Sequence, residues 1–235
     1  MGSSRFALGF VGLALAGLWY VAGGADALPV ADSPRVEEPL THANLSVYLI
    51  RGADAVAESN VLTLQEALER HLAVVHETSN VNVLAVENTS AEYELFIQSG
   101  DIVKGGQQDR VVAGDMLLPP KSGVVPLPAH CVEQGRWAGR GGESARQFAS
   151  SEKCAAGKDL KYANATGQQA AVWQNVSANQ AKLNDNLKAV VNSPASPTSF
   201  QLTLEAPAVQ AKVAEYEAAL KGCAAGRRDV IGAVF

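Results

Sequence analysis

"YELFIQSGDIVKGGQQDRVVAGDMLLPP", residues 93–120, decides between two architectures. A lysine beside paired glycines, Lys104-Gly105-Gly106, invites comparison with a phosphate-binding loop, which would announce a parallel α/β sheet. That loop runs G-x-x-x-x-G-K-[S/T] and opens a helix. Here the lysine precedes the glycines, and a β-branched run, "RVV", follows them. The stretch therefore reads as continuous β structure folded back at a hairpin or bulge, with Gly105 and Gly106 at positive φ.

The neighbouring segments extend that pattern. "NLSVYLIRG" (44–52), "AVVHET" and "VNVLAVENTS" read as strands, with turns near Asn80 and at Asn88-Thr89-Ser90. "LTLQEALERHL" (62–72) reads as a short amphipathic helix: Thr63 is its N-cap, Glu66 completes a capping box, and Leu64, Leu68 and Leu72 share a face. "KSGVVPLPAHCVEQGRW" (121–137) ends the β run. Pro119, Pro120, Pro126 and Pro128 lack an amide donor and so belong at edges or strand ends.

Downstream the character changes. Residues 138–167 are rich in Gly, Ser and Lys and read as a long loop with a short helix over 143–149. Residues 168–191 predict a helix with Val172, Val176, Leu183, Leu187 and Val190 on one face. After a break at Pro194 and Pro197, residues 204–222 predict a second helix, with Pro207 in its first turn and Gly222 past its end. "RRDVIGAVF" reads as a buried returning strand. The expected class is α+β: an antiparallel, sandwich-like β-rich N-terminal half packed with C-terminal helices. One domain is expected over residues 44–235, truncated at its C-terminus, after a flexible segment over 28–43.

Residues 1–27 read as a targeting segment. Arg5 precedes an apolar run over 6–22, and Ala25-Asp26-Ala27 fits an A-x-A cleavage site before Leu28. The expectation is a cleaved signal peptide and a periplasmic or secreted chain; the alternative is an uncleaved membrane anchor. An oxidising compartment permits disulfides, and Cys131–Cys154 and Cys154–Cys223 are both open. N-x-S/T triplets at Asn44, Asn88, Asn164 and Asn175 matter only in a eukaryotic secretory path. A net charge of -5 and 6% aromatic residues argue against nucleic acid as a partner. Membrane contact is expected only through an uncleaved N-terminal segment, and the oligomeric state stays open.

Two stretches carry candidate chemistry. In "GDIVKGGQQDR" the glycine amides, with Lys104 and Arg110, form a lip suited to an anion, with Asp101 and Asp109 offsetting or pairing that charge. In "AHCVEQGRW" a cysteine follows a histidine. Neighbours along a strand face opposite ways, so His130 is poorly placed as a base for Cys131. Glu133 on the thiol's own face would raise its pKa. A buried or disulfide-bonded Cys131 is the plainer reading. Glu133 and Arg136 form either an ordinary ion pair or, with Trp137, a pocket wall. Scattered histidines and the absence of metal-ligand spacing leave no metal or cofactor to assign.

These pieces in this order, "TLQEAL", "VVHET", "VLAVENTS", the long segment 95–137 and a helix with "VWQNV", resemble the ARG and rhodanese-phosphatase-superfamily-associated protein domain family. The resemblance runs from residue 62 onward. Its motif positions are Gly106, Gln108, Asp109, Arg110, Cys131, Glu133, Gly135, Arg136 and Trp137. The family's name records a genomic association with ADP-ribosylglycohydrolases and phosphatases, which implies a role around ADP-ribose or related metabolites. Two departures stand out: Asp101 occupies a position that is Glu in many members, and the family continues past "GAVF". The ligand set implied for a phosphorylated or nucleotide-like small molecule is Lys104, Gly105, Gly106, Gln108, Asp109, Arg110, Arg136 and Trp137, with Glu133 and Asp101 as candidate acids or bases. The competing expectation is a non-catalytic envelope or secreted domain in which the same residues hold the β fold together.

Overall fold

The computed structural model describes residues 33–53, 60–155 and 157–235; the stretch over 1–27 read as a targeting segment lies outside them. Three strands open the described chain: β1 (Arg35–Val36), β2 (Leu40–His42) and β3 (Leu45–Arg51). β4 (Val61–Thr63) leads into helix α1 (Leu64–Glu69), whose capping box forms as expected: Thr63 accepts from the Glu66 amide, and the Glu66 carboxylate accepts from the Thr63 amide. Next come β5 (Ala73–Asn80), β6 (Val83–Asn88), β7 (Glu94–Ile97), β8 (Asp101–Gly105), β9 (Arg110–Val112), β10 (Met116–Leu118), β11 (Gly123–Cys131) and β12 (Gln147–Cys154). Helices α2 (Lys158–Ala165), α3 (Gln169–Leu187), α4 (Phe200–Leu204) and α5 (Pro207–Leu220) follow, then β13 (Val230–Val234).

The class is α+β, with an antiparallel β-rich first half and C-terminal helices. Six strands close into a barrel in the order β11-β6-β5-β12-β8-β9. β10, β7 and β4 make a smaller sheet, and β1, β2 and β13 all pair with β3. Strand alternation supplies two cores. Val75, Val86, Val103, Val112, Leu127 and Phe148 belong to one apolar cluster. Ile102 and Val111, each next in sequence to one of these, face the other way and meet Leu160, Val172, Val176 and Phe200 of the helices. β8 and β9 are thus covered on both faces, which is why Ile102-Val103 and Val111-Val112 are consecutive buried apolar residues rather than alternating ones.

The prolines of β11 obey the missing-donor rule. Residues 123–128 pair only with β6, whereas β9 takes residues 129–131, so Pro126 and Pro128 sit where one side of the strand has no ladder to break. Gly105 and Gly106 have φ of 115° and 55°. A Cβ on Gly106 would lie 2.2 Å from the Phe148 ring, so no side chain fits there.

Three expectations are corrected. Residues 138–167 are not a loop with a helix over 143–149: they contain strand β12, which closes the barrel, and helix α2. "QFASSEKC" is too polar to read as a strand. Its pairing with β5 and β8 overrides its propensity, with an irregularity between Ser150 and Cys154. The final strand is largely exposed rather than buried, since β3 is its only partner among the described residues. Helix α3 ends at Leu187, with Lys188 in the left-handed region, so Val190 lies outside it and is 85% exposed. Within the segment read as flexible, β1 and β2 pair with β3. Among the described residues no helix is long and apolar enough to cross a membrane.

Candidate functional site

The two signature stretches meet at one end of the barrel. The tight turn after β8 brings Asp109 back under Gly105, whose amide donates to Asp109 Oδ1 at 3.0 Å. The Asp109 amide in turn donates to Glu133 Oε2 at 3.1 Å. Glu133 follows β11 by two residues and has no exposed surface; neither has Asp109. Two buried carboxylates in contact through the backbone require cations.

Two arginines supply them from the glycine-rich segment after β11. Arg136 Nε donates to both Glu133 oxygens at 2.9 Å, and its Nη1 and Nη2 donate to the Gly106 and Gly105 carbonyls, each at 3.1 Å. Arg140 donates to Asp109 Oδ2 at 2.9 Å and Oδ1 at 3.2 Å, and to Glu143 Oε1 at 2.9 Å. Ser199 Oγ, at the N-cap of α4, donates to Asp109 Oδ2 at 2.8 Å. Burial pushes the Glu133 carboxyl up, but Arg136, Ser196 and the Asp109 amide outweigh it and hold it below its ordinary range. Burial opposes the charge on Arg140, yet Asp109 and Glu143 raise its pKa.

The helices lock onto the same end. Gln169 of α3 clamps Cys131, its Oε1 accepting from the amide and its Nε2 donating to the carbonyl, both at 2.8 Å. Trp173 Nε1 donates to the Glu133 carbonyl at 3.3 Å. The Phe200 amide donates to the Val132 carbonyl at 3.0 Å. Lys104 of β8 reaches Glu205, beside α4, at 2.6 Å. Hydrogen bonds to the backbone thus join α3 to this end of the barrel, and the ion network reaches α4.

The remaining candidates divide. Arg110 is buried, with Nη2 3.5 Å from Glu77 and Nη1 against Cys131 Sγ and Gln108. Gln108 is also fully buried; its Nε2 and the Arg110 Nε have no acceptor among the described residues. Trp137 turns outward, 59% exposed. Asp101 stands at the other end of β8 from Gly105, away from Glu133, in a cleft of about 240 Å³ with Gln98, Glu152 and Cys154. Burial raises its pKa against the Gln98 amide it accepts from. The two candidate acids therefore do not share a site.

Cys131 is buried, and burial pushes its thiol pKa up against the pull of Arg110. Its sulfur meets Arg110 and the Val81 carbonyl, not a histidine. His130 is buried and bonded to Asn164 at 2.9 Å. All three cysteines are free thiols. Sequence reasoning missed Arg140, Glu143, Ser199, Glu77 and Glu205. A lone arginine among glycines in "AGRGGE" was the one local sign, since an exposed flexible loop gains nothing specific from it.

A concavity of about 1060 Å³ lies elsewhere, between α3, α5 and the start of β3, lined by Leu45, Leu183, Leu187, Val209 and Val213. Beside the network, Lys104, Glu143, Gln147 and Phe148 border a smaller one of about 440 Å³. No curated protein and no solved structure matches the chain. The family model ARPP-1, described as the ARG and Rhodanese-Phosphatase-superfamily-associated Protein domain, matches residues 33–235, a span that takes in every residue the structure describes, and the chain belongs to that family.

Proposed function

We propose that this chain is a non-catalytic interaction domain of the envelope or the secreted space, whose signature segment is architectural. The observation that carries this reading is the ion balance. Lys104, Arg110, Arg136 and Arg140 each face a carboxylate of the same chain, and the partners Asp109 and Glu133 are fully buried. A phosphate arriving at Arg136 or Arg140 would have to displace a carboxylate from that arginine and leave it buried with one cation fewer, at a cost of up to about 3–5 kcal/mol. Export is supported by the apolar run over residues 6–22 and the A-x-A triplet.

A second reading has one observation in its favour. Among the described residues the buried Gln108 Nε2 and Arg110 Nε donors have no acceptors, as a site for a phosphorylated or ADP-ribose-like molecule would require after local opening. Thermal unfolding with saturating ADP-ribose, and separately with inorganic phosphate, separates the two. An unchanged Tm is the expected result. A reproducible rise with either compound overturns the architectural reading, since a ligand at a hundredfold its Kd adds about 2.7 kcal/mol.

A further inference from the structure

We infer that Asn44 is the residue of this chain that carries an N-linked glycan when the folded protein is made in a eukaryotic secretory compartment. The inference rests on the export half of the reading above and concerns a site outside the signature network. Four Asn-x-Ser/Thr triplets are present, at Asn44, Asn88, Asn164 and Asn175. The sequence treats them alike; the fold does not. An acceptor asparagine must present its amide nitrogen to a transferase, and the native structure must leave room for the sugar, so a surface turn is the suitable setting.

Asn88 is 1% exposed, and its Nδ2 donates to the Tyr93, Leu118 and Pro119 carbonyls at 2.8, 3.3 and 3.0 Å. A glycan there would replace one of the two protons that serve these three carbonyls and would have to enter a buried site. Asn164 is equally buried: its Nδ2 donates to the Val112 carbonyl at 2.6 Å while its Oδ1 meets His130, between α2 and the barrel. Asn175 lies inside α3, half-buried, with Nδ2 bonded to the Ala171 carbonyl one turn back at 2.9 Å. Asn44 alone is exposed, at the two-residue turn of the β2–β3 hairpin beside Ala43 at φ 50°. Its Oδ1 accepts from the Tyr216 hydroxyl, which orients the amide, and Nδ2 has no partner among the described residues.

The chemistry is a group transfer from a lipid-pyrophosphate-linked oligosaccharide. A bond forms between Asn44 Nδ2 and the anomeric carbon of the first sugar, and the bond from that carbon to the pyrophosphate oxygen breaks. The amide proton passes to a base of the transferase, and the lipid pyrophosphate leaves. Nothing is oxidised or reduced.

The test translates the full chain with endoplasmic-reticulum microsomes, once with its own N-terminus and once behind an efficient cleavable signal sequence. Glycosidase-sensitive mass is then read on protease-protected chains that stay resistant to mild proteolysis after the membrane is opened. The expected result is a single glycan on the folded fraction, lost in Asn44→Gln and kept in Asn88→Gln and Asn175→Gln. Folded chain without sugar, or sugar that survives Asn44→Gln, overturns the assignment. If only the signal-fused form is protected and carries sugar on Asn44, the export reading fails while the site assignment stands.

Discussion

Arg140 grips both carboxylate oxygens of Asp109, a residue 31 positions earlier in the chain, at 2.9 and 3.2 Å. The bond pins a glycine-rich segment to the turn after β8, and Ser199 adds α4 to the same carboxylate. Because Asp109 has no exposed surface, the pair ties three parts of the fold together inside the protein.

Arg140→Ala leaves Asp109 buried with Arg136 as its only cation among the described residues, at 3.5 Å. The expected loss is about 3–5 kcal/mol of unfolding free energy. Arg140→Lys recovers only part of it, because an ammonium cannot reproduce the two-pronged contact. Urea unfolding followed by tryptophan fluorescence measures both. A loss below 1 kcal/mol for the alanine variant would show the pair to be incidental.

Gly106→Ala tests the turn from its backbone. The left-handed conformation costs an L-residue roughly 1–2 kcal/mol, and the added methyl meets the Phe148 ring, an overpacking worth roughly 1–3 kcal/mol more. The conformational part persists when Phe148→Leu makes space and the packing part shrinks, so the double variant is expected to lose less than the two single losses added. Strict additivity would mean that the ring and the glycine are independent.

What could be read from the chain beforehand divides by distance along it. The α1 capping box, the positive φ of Gly105 and Gly106, and the Glu133–Arg136 pair all lie within four residues of their partners, where geometry follows from local chemistry. β12 carries Phe148 as its one large apolar residue among polar neighbours, so neither period nor propensity announced it. Its identity as a strand comes from β5 and β8. Arg140, Ser199 and Glu205 find their partners 31 to 101 residues away, and no spacing rule reaches that far. The same limit kept Asp101 and Glu133 together as candidate acids, although β8 separates them.

Acid should weaken the fold through this network. Glu133 and Glu205 have pKa values below their ordinary 4.5, both against burial: Arg136 leads the opposing causes for Glu133, and Lys104 for Glu205. A carboxylate whose folded pKa is depressed contributes stability that is full above its unfolded pKa and is lost as pH falls through the folded one. Unfolding free energy is therefore expected to fall below about pH 4.5, and Glu205→Gln to flatten that slope. Asp101 has the opposite sign, since burial raises its pKa. Asp101→Asn, which keeps an acceptor for the Gln98 amide, is expected to stabilise the protein at neutral pH. Chemical unfolding at a series of pH values checks both; an acid slope unchanged by Glu205→Gln would remove that residue from the account.

The thiols offer a test without mutation. Cys154 is exposed, whereas Cys131 is buried beneath the Gln169 clamp with its pKa raised by burial. Alkylation needs the thiolate and an open path, and Cys131 lacks both in the native state. Under native conditions at pH 8, iodoacetamide is expected to modify Cys154 within minutes and Cys131 only through unfolding, so that the Cys131 rate tracks global stability as urea is added. Peptide mass spectrometry resolves the two sites. Rapid labelling of Cys131 in the folded protein would point to an accessible, activated thiol and restore a cysteine nucleophile to consideration, whereas the clamp, the buried sulfur and its raised pKa all argue for a structural residue.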